Sequence, residues 1–420
     1  MSFCRNYLKN IAGRNKLLIQ NFSYLSAVQV LNLLIPLVTY PYLIRTLGKN
    51  VYGLIVFAQA IVNYLTIMVS FGFNISATRQ ISVNRDNPNK IDEIFSSTMI
   101  IKIILFFLSC AIMCILLFVV PKFHDYEGLF ILSLWGCLYE AIFPLWYFQG
   151  VENMKYITYI NLASRLIFLC LIFVLIHSPA DYLWVPIIYG IGAFVAGIIS
   201  LLIINKKHHV KFSWQRKNVL LYYFKDSIPI FISNISTSLY VNTNKVLTGA
   251  FLNMADVAYY DLAEKITSVM KLPQSILSQS IFPKISKEKN ISFIKKIFNL
   301  SLVMNLLILL VVLMFSRYAI ILLGGKQMLP AVVIVNILAL TVPIIAMSNV
   351  FGIQTLIPFG YNRSFSRVIV SSGLIYSFFV LILWLMSGFS VISVSIVTVI
   401  VELYVTIYMY YYCKKYQLWT

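Results

Sequence analysis

Apolar residues along this chain run in long blocks separated by short polar intervals, at roughly residues 17 to 44, 51 to 73, 95 to 120, 128 to 148, 156 to 177, 183 to 204, 227 to 252, 256 to 282, 293 to 323, 330 to 357, 365 to 387 and 389 to 413. A helix needs about 20 apolar residues to cross a hydrocarbon core roughly 30 Å thick. The pattern therefore predicts an all-α integral membrane fold of about twelve transmembrane helices. Membrane β-strands are excluded, because the blocks are about twice the length of a tilted strand and do not alternate. The longest basic polar interval, Asn205 to Lys225, falls near the middle of the chain. It divides the blocks into an N-terminal six-helix lobe over 1–204, a basic cytoplasmic linker over 205–225 and a C-terminal six-helix lobe over 226–420. The first block follows Arg5, Lys9, Arg14 and Lys16; it is too long and too interrupted by Gln20, Asn21, Gln29 and Asn32 for a cleaved signal, and is read as a retained span.

Polar positions inside the blocks are not random. Ser26, Gln29, Asn32, Pro36 and Thr39 recur at steps of three and four, which places them on one helix face. The second block repeats this with Gln59, Asn63, Thr66, Ser70 and Asn74, the seventh with Ser227, Asn234, Ser238, Asn242 and Lys245, and the eighth with Asp261, Lys265, Ser268, Leu272, Ser275 and Gln279. Interhelical hydrogen bonding explains single stripes. Four stripes at equivalent positions in two lobes point further, to the wall of one shared wet cavity. A faint echo links the lobes as well: Val51-Tyr52-Gly53 opens the second block and Val257-Ala258-Tyr259 the eighth, each with a small residue five before an alanine. Small residues in the sixth block, such as Gly192 and Ala196, are read as close helix packing.

Composition and charge narrow the picture. The chain has 420 residues, 60% hydrophobic and 11% charged, which leaves too little polar surface for a soluble globule of that size. A formal charge of +19 raises nucleic acid as a partner, but the basic residues are scattered between apolar blocks instead of gathered on one domain. Retention of Lys and Arg on the cytoplasmic side accounts for them better. With the amino terminus inside, Arg85, Lys90, Lys155, the 206–225 interval, Lys284 to Lys296, Arg363, Arg367, Lys414 and Lys415 all fall inside, against Arg45, Lys49, Lys122, Arg317 and Lys326 outside. Both termini are thus expected in the cytoplasm. Most of the six cysteines lie within apolar blocks and no outer loop carries a pair, so no disulfide framework is expected. Cys110 and Cys114 lack a histidine or a second pair, and His208-His209 reads as part of a solvated basic loop, so neither a metal nor a cofactor is expected. No nucleophile, paired-acid or phosphate-loop constellation can be assembled, and an enzyme is not expected.

Eight charged residues fall inside predicted spans: Glu140, Arg165, Lys245, Asp261, Glu264, Lys265, Lys271 and Glu402. Each would cost roughly 2.5–3.5 kcal/mol at mid-depth in lipid. Together they would exceed a net folding stability of about 5–15 kcal/mol, so most must face water or one another. Lys102 is placed near a cytoplasmic end, where it can snorkel. Lys245, Lys265 and Lys271, with Arg45 and Arg79 at span ends, would make a cavity that attracts anions, and Asn234 and Asn242 on the seventh block add hydrogen-bonding groups. Glu140 and Arg165 are expected to form a structural ion pair. Glu402 has no evident partner and is a proton-coupling candidate.

Three stretches carry a resemblance. They are Pro41-Tyr42-Leu43-Ile44-Arg45-Thr46-Leu47-Gly48-Lys49-Asn50-Val51-Tyr52-Gly53, Phe71-Gly72-Phe73-Asn74-Ile75-Ser76-Ala77-Thr78-Arg79, and Pro144-Leu145-Trp146-Tyr147-Phe148-Gln149-Gly150-Val151-Glu152-Asn153-Met154-Lys155-Tyr156. They are similar to the signature stretches of Wzx-type O-antigen flippases, in the polysaccharide transporter family of the multidrug/oligosaccharidyl-lipid/polysaccharide exporter superfamily. The resemblance covers the whole chain in length and span count and is more specific in the first lobe. It implies two six-helix lobes around a central cavity that opens alternately to each side of the bacterial inner membrane. The implied substrate is an undecaprenyl-pyrophosphate-linked oligosaccharide, an O-antigen repeat unit, moved from the cytoplasmic to the periplasmic leaflet. Membrane lipid is the implied surrounding, and an O-antigen polymerase and chain-length regulator are implied as pathway neighbours. Asp261 and Glu264 are the acids best placed to couple such movement to a gradient. The alternatives are a drug or ion exporter of the same superfamily, for which a basic cavity is unusual, and a membrane polymerase or ligase, which would be expected to carry large periplasmic loops.

Overall fold

The structure, a computed structural model, describes residues 2–419, with side chains from Ile35 onward except at Leu37, Lys122, Tyr240, Val241 and Pro283. Ser26, Gln29 and Asn32 of the first expected stripe therefore lie outside the described side chains. Among the described residues the chain is helical and contains no strand. Lipid forces this choice, since every backbone N–H and C=O at membrane depth must find its partner within the segment.

Helix α1 runs over Ser2–Ser70 but is broken at Gly48, whose φ of 76° and ψ of 163° lie in a region open essentially to glycine alone. The break falls where the polar Arg45–Asn50 interval separates the first two expected spans. Then follow α2 (Phe73–Val83), α3 (Pro88–Val119), α4 (Pro121–His124), α5 (Glu127–Ser133), α6 (Trp135–Ile142), α7 (Leu145–Gly150), α8 (Met154–Leu175), α9 (Trp184–His208), α10 (Lys217–Phe251) and α11 (Met254–Glu288). The series ends with α12 (Ile291–Gly324), α13 (Ala331–Ala339), α14 (Thr341–Phe351), continued by a π-helical turn Gly352–Leu356, α15 (Asn362–Leu385) and α16 (Val391–Lys415).

Local chemistry sets several boundaries. Asn87 accepts a hydrogen bond from the Lys90 N–H just ahead of Pro88, and Asn290 accepts one from the Phe293 N–H, each capping the helix that follows. Reciprocal capping boxes open α11 (Asn253 with Asp256) and α16 (Ser390 with Ser393). The expected 128–148 span is divided into α5, α6 and α7, with α5 ending at Ser133 and its C-cap Leu134, and α6 ending where Pro144 holds the preceding Phe143 in an extended conformation. Nine helical stretches among the described residues are long and apolar enough to cross a membrane. At 35 residues each, α10 and α11 are as long as the others, and the Ser, Asn, Thr and charged residues of their stripes set them apart in composition.

Two compact units emerge, one from Met1–Thr39 and Ile61–Asn234, the other from Tyr40–Ala60 and Ile235–Thr420. These cuts differ from the lobes expected over 1–204 and 226–420. In the first unit α9 packs on α6 and α8, and α2 on α7. The short α7 buries Trp146, Tyr147 and Phe148, with Trp146 and Tyr147 against the ring of Phe95. Phe71 turns the chain between α1 and α2, and its ring is stacked between Phe224 at 4.4 Å and Phe231 at 4.5 Å. The linker shrinks to residues 209–216, since α9 and α10 extend into it from both sides. It is tied to α3 by hydrogen bonds from the Lys211 N–H to Asp92 and from the Ser213 N–H to Ser96 Oγ.

In the second unit α14 packs on α12 and α16, α13 on α11, and α15 on α16. The Tyr40–Ala60 segment belongs here because it approaches α11 at backbone contact distance. A Cβ on Gly53 would stand 1.7 Å from the Met254 carbonyl oxygen. The two echoing stretches, around Gly53 and Ala258, thus pack directly on each other.

Candidate functional site

The expected intramembrane charges separate into distinct groups. Lys245 of α10 and Asp261, Glu264 and Lys265 of α11 come together in the second unit. The three on α11 follow helical spacing, so they share a face, and the Asp261-to-Lys265 step of four is the arrangement that lets the side chains meet. Lys245 Nζ lies 3.0 Å from Asp261 Oδ1 and 2.5 Å from Glu264 Oε2. Lys265 Nζ lies 2.5 Å from Asp261 Oδ2 and also donates to Tyr52 Oη at 2.7 Å. Tyr52 in turn donates to Asp261 Oδ2 at 2.7 Å. The Lys265 ammonium sits 3.2 Å from the centroid of the Tyr40 ring, whose negative face adds a further attraction.

Exposure grades the members of this network. The Asp261 side chain is 2% exposed, whereas Lys245, Glu264 and Lys265 are 20%, 24% and 25% exposed. Asp261 is the anchor, satisfied by two ammonium groups and a phenol. Glu264 has one lysine and an open side. Two ammonium and two carboxylate groups cancel, so the cluster carries no net charge. The lysines, expected to line a cavity that attracts anions, are each paired with an acid. A buried charge must be paired to be tolerated, and α11 brings its own acids beside its lysine.

Lys271 lies farther along α11 and forms no ion pair among the described residues. It and Glu402 of α16 act on each other electrostatically, so Glu402, expected without a partner, has one at longer range. Arg45 and Arg79 have other partners. Arg45 donates to the Leu322 carbonyl at 2.6 Å at the end of α12, while Gln327 donates to the Ile44 carbonyl at 3.0 Å and Lys49 to Tyr259 Oη at 2.8 Å. Arg79 forms an exposed fork on Asp226, at 2.8 and 3.0 Å. Asn242 donates to Ser238 Oγ within α10, and Asn234 is exposed.

The expected Glu140–Arg165 pair is replaced by another. Glu140 Oε1 accepts from Lys102 Nζ at 2.8 Å and from Asn74 Nδ2 at 3.1 Å, and no ion pair among the described residues includes Arg165. Lys102 is fully buried and does not snorkel. Sequence reasoning also missed Tyr40 and Tyr52 as members of the charged network. A phenol one position before Gly53, in a signature stretch, was the available signal.

Comparison with known proteins first gives the class. A solved structure titled "Lipid II flippase MurJ, inward closed conformation" superposes with a TM-score of 0.74 at 13% identity, covering 94% of this chain and 87% of that one. An inward-facing MATE family multidrug resistance transporter of the MOP superfamily gives a TM-score of 0.68 at 12% identity, covering 91% and 97%. The fold is that of these membrane transporters. The profile of the family described as "Polysaccharide biosynthesis protein" matches residues 18–289. A curated protein of Escherichia coli (strain K12), named "Putative O-antigen transporter", is 30% identical over 380 residues, covering 86% of this chain and 89% of its own length. One of the same name from Shigella dysenteriae is 29% identical over 280 residues, covering 66% and 70%. The chain belongs to the polysaccharide biosynthesis protein family. It is a multi-pass protein of the bacterial inner membrane.

Proposed function

We propose that this protein flips undecaprenyl-pyrophosphate-linked O-antigen repeat units from the cytoplasmic to the periplasmic leaflet by alternating access, for lipopolysaccharide assembly. The observation that carries the reading is the neutral network of Lys245, Asp261, Glu264 and Lys265, with its acid anchor sealed and its other members partly open. A pyrophosphate is a stronger ligand for ammonium groups than a single carboxylate, because it offers more anionic oxygens to charge-assisted hydrogen bonds. To bind, it must compete with Asp261 and Glu264 for the same lysines. Protonating an acid releases its lysine, so substrate binding and proton uptake favour each other reciprocally. Lys271 with Glu402 adds a second charged pair in the same unit. Asn234, Asn242 and the Ser and Thr residues of the stripes supply hydrogen bonds to sugar hydroxyls. The names of the curated relatives and of the lipid II flippase fit a lipid-linked saccharide as cargo.

The test uses cells lacking this protein, in which lipid-linked repeat units should collect on the inner leaflet and move outward when the chain is restored. Lys245→Ala and Lys265→Ala, each checked for insertion and folding, should lower the outward flux at least about 30-fold, the scale of truncating one partner of a desolvated charge pair at roughly 2 kcal/mol. Normal flux in both variants would sink the role of the network.

A further inference from the structure

A groove of about 670 Å³ lies between α15 and α16, away from the charged network. Its lining changes character along its length. Arg363 and Arg367 stand at one end, Val370 and Leu374 at the other, and Tyr404 and Tyr408 of α16 form the facing wall. The two arginines are one turn apart and exposed, in the first turns of α15. That is an unfavourable place for them on their own, since like charges four residues apart repel and the helix amino terminus is itself positive. No acid forms an ion pair with either among the described residues. Lys414 and Lys415 in the last turn of α16 add to the same positive field.

Aromatic residues mark the depth of this end. Tyr361 stacks on Tyr416 at 3.8 Å, and Tyr408 and Tyr412 continue the band. Such rings gather at the headgroup level of a bilayer. Leu374 lies one helical row of seven residues beyond Arg367, about 10 Å deeper at 1.5 Å per residue. The charge asymmetry of the sequence puts the arginine end on the cytoplasmic side. A ligand complementary to this groove has an anionic phosphate at the interface and an aliphatic chain running inward. The volume lies within the range of about 300–1,000 Å³ usual for small-molecule sites, enough for a headgroup and the upper part of one chain.

We propose that the α15–α16 groove is a binding site for an anionic phospholipid of the cytoplasmic leaflet, with its phosphate on Arg363 and Arg367 and an acyl chain along Val370 and Leu374. The site stands independently of the cargo proposed above. Full-length protein purified in mild detergent, then incubated with phosphatidylglycerol or phosphatidylcholine, should retain one phosphatidylglycerol per chain in native mass spectrometry and at least tenfold less phosphatidylcholine. The Arg363→Gln/Arg367→Gln variant, with an unchanged thermal transition, should lose that preference. Competition on the unaltered protein keeps the test independent of the variant's folding: inorganic phosphate should not displace the phospholipid. Equal retention of the two lipids, an unaffected double variant, displacement by inorganic phosphate, or preference for a polyprenyl diphosphate over phosphatidylglycerol would each overturn the proposal.

Discussion

Lys102 is 0% exposed, yet it carries a charge into the interior of the first unit. Its pair with Glu140 and the amide of Asn74 make that tolerable, and removing one partner should expose how tightly the cost is balanced. Glu140→Ala is expected to lower stability by about 3–5 kcal/mol, the range for leaving a buried partner charge uncompensated. The double variant Lys102→Met/Glu140→Leu should recover most of it, which thermal unfolding in detergent would measure. A double variant as unstable as the single one would contradict a pure charge-balance account. The sequence displayed all these charges but not their neighbours. Lys102 read as a snorkelling residue because the apolar block begins near Phe95. The helix begins at Pro88, which puts Lys102 roughly 20 Å along it. In the same way Lys245 and Lys265 were legible as cavity-lining cations but not as members of a particular ion pair. Only the fold brings Asp261 and Glu264 against Lys245, and no pattern in the chain ties Tyr40 to α11.

The helices themselves were far more legible, because length and hydropathy are local properties and a bilayer enforces them. Asn87, Asn253, Asn290 and Ser390 cap helices at starts that hydropathy blocks alone do not mark. The break before Pro144 and the extension of α10 into the linker were not read: a long apolar block hides the first, and basic residues are compatible with a helix that continues beyond the hydrocarbon. The signature glycines have separable roles. Gly53→Ala should be severe, since its Cβ would meet backbone rather than a movable side chain. A loss of about 1–3 kcal/mol or more is expected, with falling expression in membranes as the readout. Gly48→Ala meets nothing within 4 Å, so its cost, also about 1–3 kcal/mol, comes from backbone conformation alone. The two are distinguished by a Gly48→Ala/Gly53→Ala pair: independent causes should give additive losses in thermal stability.

At the scale of the whole molecule, the membrane class was evident from composition, and family membership from three stretches that the structure explains as packing and clamping elements. The orientation rests on the distribution of Lys and Arg. A fluorescent protein fused after Thr420 should therefore light up in the cytoplasm, while alkaline phosphatase fused there should be inactive; the reverse result would invert the topology. The buried pair of the first unit also has a consequence for how such a chain is made. Lys102 and Glu140 are 38 positions apart in sequence. At a synthesis rate of about 5–20 residues per second, the lysine emerges from the ribosome some 2–8 seconds before its carboxylate does. For that interval α3 carries an uncompensated ammonium, and it must wait at the edge of the insertion machinery or the bilayer surface until α6 arrives. A nascent chain halted between the two positions therefore holds a lysine without the carboxylate that balances it in the folded unit.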